Sequence, residues 1–207
     1  MKNQKIVLAS SSPRRLELMR MIGLEPTVLP PHVEEIPLEG ESPGEFIRRV
    51  TLEKGVSVLD GISSEAAVFS ADTAVILEGR MIGKPRSREH ARRILQSLSG
   101  RMHEVWTALA LFHRGSRWLE MEKTRVWFAG ISEAEIKAYL DVEHYSDKAG
   151  AYAIQGRAAL FVQGIQGCYF NVMGFPLRRF YTMCQRAGIS ISAAVVPDVN
   201  AGSGGFR

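Results

Sequence analysis

The chain has 207 residues, 45% of them hydrophobic and 23% charged, values that exclude a wholly disordered, collagen-like or coiled-coil protein. Its 26 Lys and Arg against 22 Asp and Glu leave a formal net charge of +4, but the basic residues come in short pairs such as Arg14-Arg15 and Arg48-Arg49, so charge alone names no partner. Two cysteines outside any CxxC spacing and five scattered histidines exclude a disulfide scaffold and a zinc-finger framework, and no run approaches the roughly 20 apolar residues of a membrane span.

Residues 6–10 read as a short buried strand entering Ser11-Ser12-Pro13, where Ser12 suits a helix N-cap and Pro13 its first turn. This predicts a helix to about Ile22, ended by Gly23. Ser42-Pro43 repeats the start signal, and the stripe of Phe46, Ile47 and Val50 predicts a second helix to about Leu59. Residues 67–71 read as another buried strand, followed by 73–77 and by Met81-Ile82 across the turn Glu78-Gly79-Arg80, which places Asp72 at a strand end or kink. Ser87 caps a third helix with Ala91, Ile94, Leu95 and Leu98 inward and Gly100 behind it. Residues 103–112 and 118–129 form the clearest hairpin, joined across Arg114-Gly115-Ser116. The Ser132 to Glu135 spacing is that of a capping box and opens a short fourth helix. Residues 158–162 and 169–173 read as strands, and a closing helix over 176–187 stops at Gly188. A domain over 1–189 with a fraying tail over 190–207 is expected. Early alternation of helices and strands, with a long antiparallel hairpin in mid-chain, indicates an α/β fold built on an elongated mixed sheet flanked by helices.

Five groups of residues are candidates for chemistry. Ser10-Ser11-Ser12-Pro13-Arg14-Arg15 brings hydroxyls, two guanidinium groups and helix-start N–H groups together, a good phosphate receptor. A plain N-cap followed by surface arginines is the competing reading, and the GxxxxGK[ST] pattern of a P-loop is missing. Glu34-Glu35, between prolines, offers hard oxygen ligands to Mg²⁺ or Mn²⁺, or is a solvated acidic loop. Asp72-Thr73 follows an apolar run, the usual place for a site residue in an α/β protein, or caps a turn. Lys54, in the second helix, and Lys84, fixed between Gly83 and Pro85, are point charges suited to a polyphosphate or are surface lysines. The stretch from Asp147 to Gly156 is dense in small residues that let backbone approach a ligand, and carries the amide of Gln155 near its end. His103-Glu104 is no zincin motif, because Thr107 stands where the second histidine must be, and neither GxSxG nor GxGxxG occurs.

In this order, the 10–15 turn, Glu34-Glu35, Lys54, Ala71-Asp72-Thr73, Lys84-Pro85, Leu98-Ser99-Gly100 and the 147–156 stretch closely resemble the Maf family of nucleoside triphosphate pyrophosphatases, also called septum-formation-inhibitor-like proteins, over residues 6–188. The resemblance implies a two-lobed α/β fold with a central nucleotide cleft, similar to that of the inosine triphosphate pyrophosphatases. It also implies hydrolysis of a nucleoside triphosphate to monophosphate and diphosphate with a divalent cation. Asp72 matches the family's proton acceptor, and Arg14, Thr73 and Gln155 match positions tied to substrate choice in the branch that prefers dTTP and UTP. The branch acting on methylated GTP carries an aromatic residue in place of Arg14 and Glu in place of Gln155. A Gln amide donates to a carbonyl oxygen and accepts from an N–H, the pair offered by O4 and N3–H of uracil or thymine, whereas a Glu carboxylate only accepts.

On this reading Ser10, Ser12, Arg14, Arg15, Lys54, Thr73, Lys84 and Gln155 bind the substrate, while Glu35 and Asp72 hold Mg²⁺ or Mn²⁺. Asp72 orients and deprotonates a water for attack near the α-phosphorus, and whether it acts as base, as metal ligand or as both stays open. The roles of Asp147 and Lys148 stay open. The expected protein is a cytoplasmic hydrolase, without membrane attachment and with a homodimer similar to its relatives, in a house-cleaning or cell-division-arrest role. The rival class is a non-catalytic regulator of septum formation that binds nucleotide or nucleic acid. Carboxylates beside a phosphate repel it unless a metal intervenes, which counts against simple nucleic-acid binding.

Overall fold

A computed structural model describes residues 5–191; the expected tail lies outside the described residues from 192 onward. The elements run β1 (Ile6–Ala9), α1 (Pro13–Met21), β2 (Thr27–Val28), α2 (Pro43–Val56), β3 (Ala67–Leu77), β4 (Arg80–Ile82), α3 (Arg88–Leu98), β5 (Met102–His113), β6 (Ser116–Phe128) and α4 (Glu133–Val142). Two 3₁₀ turns follow, Ala149–Ala151 and Arg157–Phe161, then β7 (Val162–Gln166), α5 (Tyr169–Val172) and α6 (Leu177–Arg186). One seven-stranded mixed sheet has the order β2-β1-β3-β5-β6-β7, with β4 also on β3. β1 runs parallel to β2 and β3, and the remaining pairings are antiparallel. The helices start where their chemistry dictates. Ser42 and Ser132 form reciprocal capping boxes with Glu45 and Glu135, and the Ser87 hydroxyl accepts from the His90 amide.

The long strand β3 organises the molecule. One of its edges is paired with β5 from Val68 to Ile76 without a break. The other takes β1 along Ala67 to Ser70 and β4 along Val75 to Leu77, which among the described residues leaves 71–74 with no strand beside them on that edge. The packing divides at the same place. On one face Ala67, Phe69 and Ala71 pack with Leu18 of α1 and Phe180 of α6, while Val75 and Leu77 pack with Leu95 of α3 and Leu140 of α4. On the other face Val68 packs with Val7, Ala9 and Phe112, while Ala74 and Ile76 pack under Phe46, Ile47 and Val50 of α2. Apolar side chains thus hold two bodies onto one strand, and polar Ser70, Asp72 and Thr73 stand where they meet.

Several expectations change. Asp72 lies neither at a strand end nor at a kink: β5 pairs straight past it, Asp72 opposite Ala108 and Thr73 opposite Thr107, so the ladder holds the strand extended. Residues 158–162 are mostly a 3₁₀ turn, in which Ala158 and Phe161 both face the core at helical spacing, and the strand lies later, at β7. Residues 169–173 hold the short helix α5 in place of a strand, and the two-residue β2 has no periodic signal at all. α2 ends at Val56, short of Leu59. Ser12 occupies the N-cap of α1 but its hydroxyl makes no capping bond; its amide donates to Ser10 Oγ at 3.1 Å.

Candidate active site

The unpaired stretch of β3 opens into a cavity of about 640 Å³. It is lined by all ten predicted site residues: Ser10, Ser12, Arg14, Arg15, Glu35, Lys54, Asp72, Thr73, Lys84 and Gln155. Some of the sequence pattern stays outside its lining. Glu34 is absent from it, and Leu98-Ser99-Gly100 closes α3, where Gly100 takes φ 67° and Ser99 Oγ accepts from the Ile131 amide at 2.6 Å.

Lys54 is central to the floor. On α2 it follows Ile47, Val50 and Thr51 along the buried stripe, so the helix that packs on the sheet also carries its ammonium inward. Gly55 makes this approach close: a Cβ there would collide with the Phe112 ring and stand 2.8 Å from Ser70 Oγ. Lys54 Nζ lies 2.6 Å from Asp72 Oδ1 and 2.6 Å from Glu35 Oε1, and Lys84 Nζ lies 3.6 Å from Glu35 Oε2. One ammonium therefore holds two carboxylates that would otherwise repel each other. Burial opposes the ionisation of Glu35, but the Lys54 hydrogen bond and the charges of Lys54, Lys84 and Arg15 outweigh it and hold its pKa below the usual value.

Arg15 forms the neighbouring wall. Its guanidinium is buried and donates to Gly174 O (2.9 Å), Ser10 Oγ (3.2 Å) and Thr73 Oγ1 (3.2 Å). All three acceptors are neutral, so the hydrogen bonds fix the fork without cancelling its charge. Burial, with the Arg14 charge added to it, lowers its pKa against the attraction of Asp72 and Glu35, so an anion entering the cavity would relieve a desolvated cation.

At the rim, Arg14 Nη1 meets Asp147 Oδ2 at 3.0 Å, joining α1 to the segment after α4. Lys148 Nζ lies 2.7 Å from Asp147 Oδ1. The small residues of this segment serve approach to β3: a Cβ on Gly150 (φ 71°) would stand 2.9 Å from Val75 Cγ2. The Gly150 amide donates to Gly83 O at 3.3 Å, which ties the loop carrying Lys84 to the segment carrying Gln155. Gln155 is exposed on the cavity wall. Six cationic side chains and three carboxylates line the cavity, the cations including Arg86.

Sequence reasoning passed over two contributors. Gly174, at φ 102°, supplies the carbonyl that holds Arg15, and a Cβ on it would stand 3.3 Å from Thr73 Oγ1. Thr107, fully buried behind Thr73, is the second. The available signals were a glycine ahead of Phe175-Pro176 and a lone hydroxyl in an apolar strand.

The divalent cation implied by the family resemblance can be tested against these donors. Glu35 and Asp72 are hard oxygen ligands brought side by side by Lys54, which engages one oxygen of each, and Mg²⁺ is commonly held by one or two carboxylates together with substrate phosphates. The donor set fits an ion that arrives with a polyphosphate. Among the described residues no group of three or more His, Cys, Asp or Glu would hold a metal unaided, and no helix is long and apolar enough to cross a membrane.

The protein is 42% identical to the dTTP/UTP pyrophosphatase of Pelotomaculum thermopropionicum over 190 residues, covering 91% of this chain and 99% of that one. It is 44% identical to the dTTP/UTP pyrophosphatase of Methylococcus capsulatus over 185 residues (89% and 92% covered). It is also 44% identical to that of Carboxydothermus hydrogenoformans over 179 residues (86% and 95% covered). The solved structure of the Staphylococcus aureus Ham1 protein superposes with a TM-score of 0.50 at 13% identity, covering 89% of this chain and 100% of that one, a likeness of fold. A family model described as Maf-like protein matches residues 5–187, and the chain belongs to that family.

Proposed function

We propose that the protein hydrolyses dTTP and UTP to the nucleoside monophosphate and diphosphate. The observation that carries the reading is the Glu35–Lys54–Asp72 array, with Lys54 Nζ 2.6 Å from each carboxylate, on the open stretch of β3 beside a buried, anion-seeking Arg15. Phosphoryl transfer demands mostly positioning and charge neutralisation, and these are what the array offers. The relatives named dTTP/UTP pyrophosphatase support the choice of reaction.

In this mechanism the amino end of α1, Arg15, Lys54 and Lys84 take the triphosphate oxygens, and Ser10 and Ser12 complete the turn around them. Glu35 and Asp72 would hold a Mg²⁺ or Mn²⁺ ion, which supplies phosphate charge neutralisation and a more acidic water. Lys54 holds Asp72 through Oδ1, which leaves Oδ2 to receive a proton. A water oxygen bonds to the α-phosphorus, its proton passes to Asp72, and the bond from the α-phosphorus to the bridging oxygen breaks to release diphosphate. Arg14 at the rim, with Gln155 and Thr73 on the walls, selects the base.

The test is diphosphate release from dTTP, UTP, CTP, GTP and methylated GTP, with Mg²⁺ or Mn²⁺ and with EDTA. Cleavage confined largely to dTTP and UTP and abolished by EDTA is the expected result. Folded protein that cleaves none of them overturns the enzymatic reading and leaves a nucleotide-binding one.

A further inference from the structure

Thr107 is outside the cavity lining and reaches the site through Thr73, its direct partner across β3 and β5. Four hydrogen bonds in this region form a chain whose direction is fixed at both ends. Arg15 Nη2 lies 3.2 Å from Thr73 Oγ1, Thr73 Oγ1 lies 2.9 Å from Thr107 Oγ1, and Thr107 Oγ1 lies 3.2 Å from Asn171 O. The same Asn171 carbonyl accepts the Gly174 amide at 2.9 Å. A guanidinium only donates and a carbonyl only accepts, while a hydroxyl has one proton and two lone pairs. Thr107 must therefore spend its proton on Asn171 O. The contact between the two threonines is then donated by Thr73, which also accepts from Arg15. Thr73 is left with one free lone pair and no proton.

We infer that Thr107 is a positioning residue for substrate selection: by taking the Thr73 proton it makes the Thr73 hydroxyl an obligate acceptor, so that Thr73 receives an N–H of the base and cannot serve a phosphate oxygen or an unprotonated ring nitrogen. Uracil and thymine offer an N3–H where cytosine offers a bare N3, so the device favours UTP over CTP. This rests on the pyrimidine triphosphate reading above and adds to it a residue that never meets the substrate. The anchor is well built. Thr107 and Asn171 are both fully buried, and Asn171 Nδ2 donates to Val105 O and to Thr124 Oγ1, each at 2.9 Å, which fixes the accepting carbonyl. The closeness of Gly174 to Thr73 Oγ1 leaves the threonine little room to turn away.

The test is the ratio of kcat/KM for UTP to that for CTP in the wild type, Thr107→Val, Thr107→Ser and the Thr73→Val/Thr107→Val pair. Thr107→Val preserves shape and returns the proton to Thr73, which can then donate to cytosine N3. The expected result is a fall of about tenfold in the ratio, recovered to within about twofold by Thr107→Ser, which keeps the hydroxyl. Thr107→Val should add nothing to Thr73→Val, because the two act through one atom. A loss of activity equal for both nucleotides, or an unchanged ratio in Thr107→Val beside a wild type that prefers UTP, overturns the inference alone. A wild type that cleaves UTP and CTP equally overturns the pyrimidine reading and the inference with it.

Discussion

At the scale of single residues the site is a problem of charge placement. Two carboxylates sharing one lysine are stable only because each is within 2.6 Å of the ammonium, and the lysine is tolerated in a nearly dry position because two anions compensate it. In the proposed mechanism the consequence is asymmetry within one carboxyl group: Lys54 engages Oδ1 of Asp72, and Oδ2 is the atom that would take the proton. Asp72→Asn keeps size and much of the hydrogen bonding, and Lys54 keeps Glu35, so the variant should fold. It has no site for a proton, and turnover of UTP should fall by about 10²–10⁴-fold, the usual contribution of a general base. Circular dichroism and a thermal melt establish folding; turnover within a few-fold of wild type would remove Asp72 from the chemistry.

At the scale of elements, α2 must lie unusually close to the sheet for Lys54 to reach Asp72. Gly55 permits it by bringing helix backbone against Phe112 and Ser70, and the Ser70 hydroxyl donates to Thr51 O of the same helix at 2.7 Å. An alanine would ordinarily strengthen a helix by up to about 1 kcal/mol over glycine. Here overpacking should win: Gly55→Ala is expected to cost about 1–3 kcal/mol in urea unfolding and to lower kcat as α2 lifts off β3. Neutral or increased stability would mean that α2 does not need this contact. Much of this architecture was legible beforehand. The Ser42-Pro43 and Ser132 starts, the hairpin of β5 and β6 and the α/β class follow from caps and alternation, which act within a few residues. Asp72 was misplaced because whether a polar residue ends a strand depends on its partner, and β5 pairs with β3 across a separation that local pattern does not encode. α5 and the 3₁₀ turn at 157–161 were misread for a related reason, since short apolar runs fit either periodicity. The ten proposed site residues all stand in groups read from local chemistry and are joined into one set by the family resemblance, whereas Thr107 and Gly174 act through one hydroxyl and one carbonyl and leave almost no mark in the sequence.

For the whole molecule, the cleft wall that carries Gln155 is secured to the sheet by a buried aromatic cluster, and that cluster contains a titratable group. His103, on β5, packs edge-on against Phe128 and Tyr152 and shares a 2.8 Å hydrogen bond between its Nε2 and the Tyr152 hydroxyl. Its Nδ1 has no partner among the described residues, and only 1% of the residue is exposed. In either neutral tautomer the ring pairs only through Nε2, which donates to the Tyr152 oxygen or accepts the Tyr152 proton, and a second proton on the ring would be buried without an acceptor. Burial then pushes the imidazole pKa down to about 4. The sign follows from linkage: an unfolded chain protonates His103 near pH 6.5, before the folded one can, so stability is complete above that value and drains away as pH falls towards 4. For this one group the loss between pH 7 and pH 4.5 is about 2 kcal/mol. His103→Gln offers Tyr152 both a donor and an acceptor and cannot titrate, so its urea-unfolding free energy should fall by about 2 kcal/mol less than that of the wild type over the same interval. Because Tyr152 lines the cavity while His103 lies behind it, UTP turnover by the wild type should decline on the same acid limb. Superimposable stability profiles for the two proteins would mean that His103 is not held neutral, and that the acid sensitivity of the fold lies in its carboxylates.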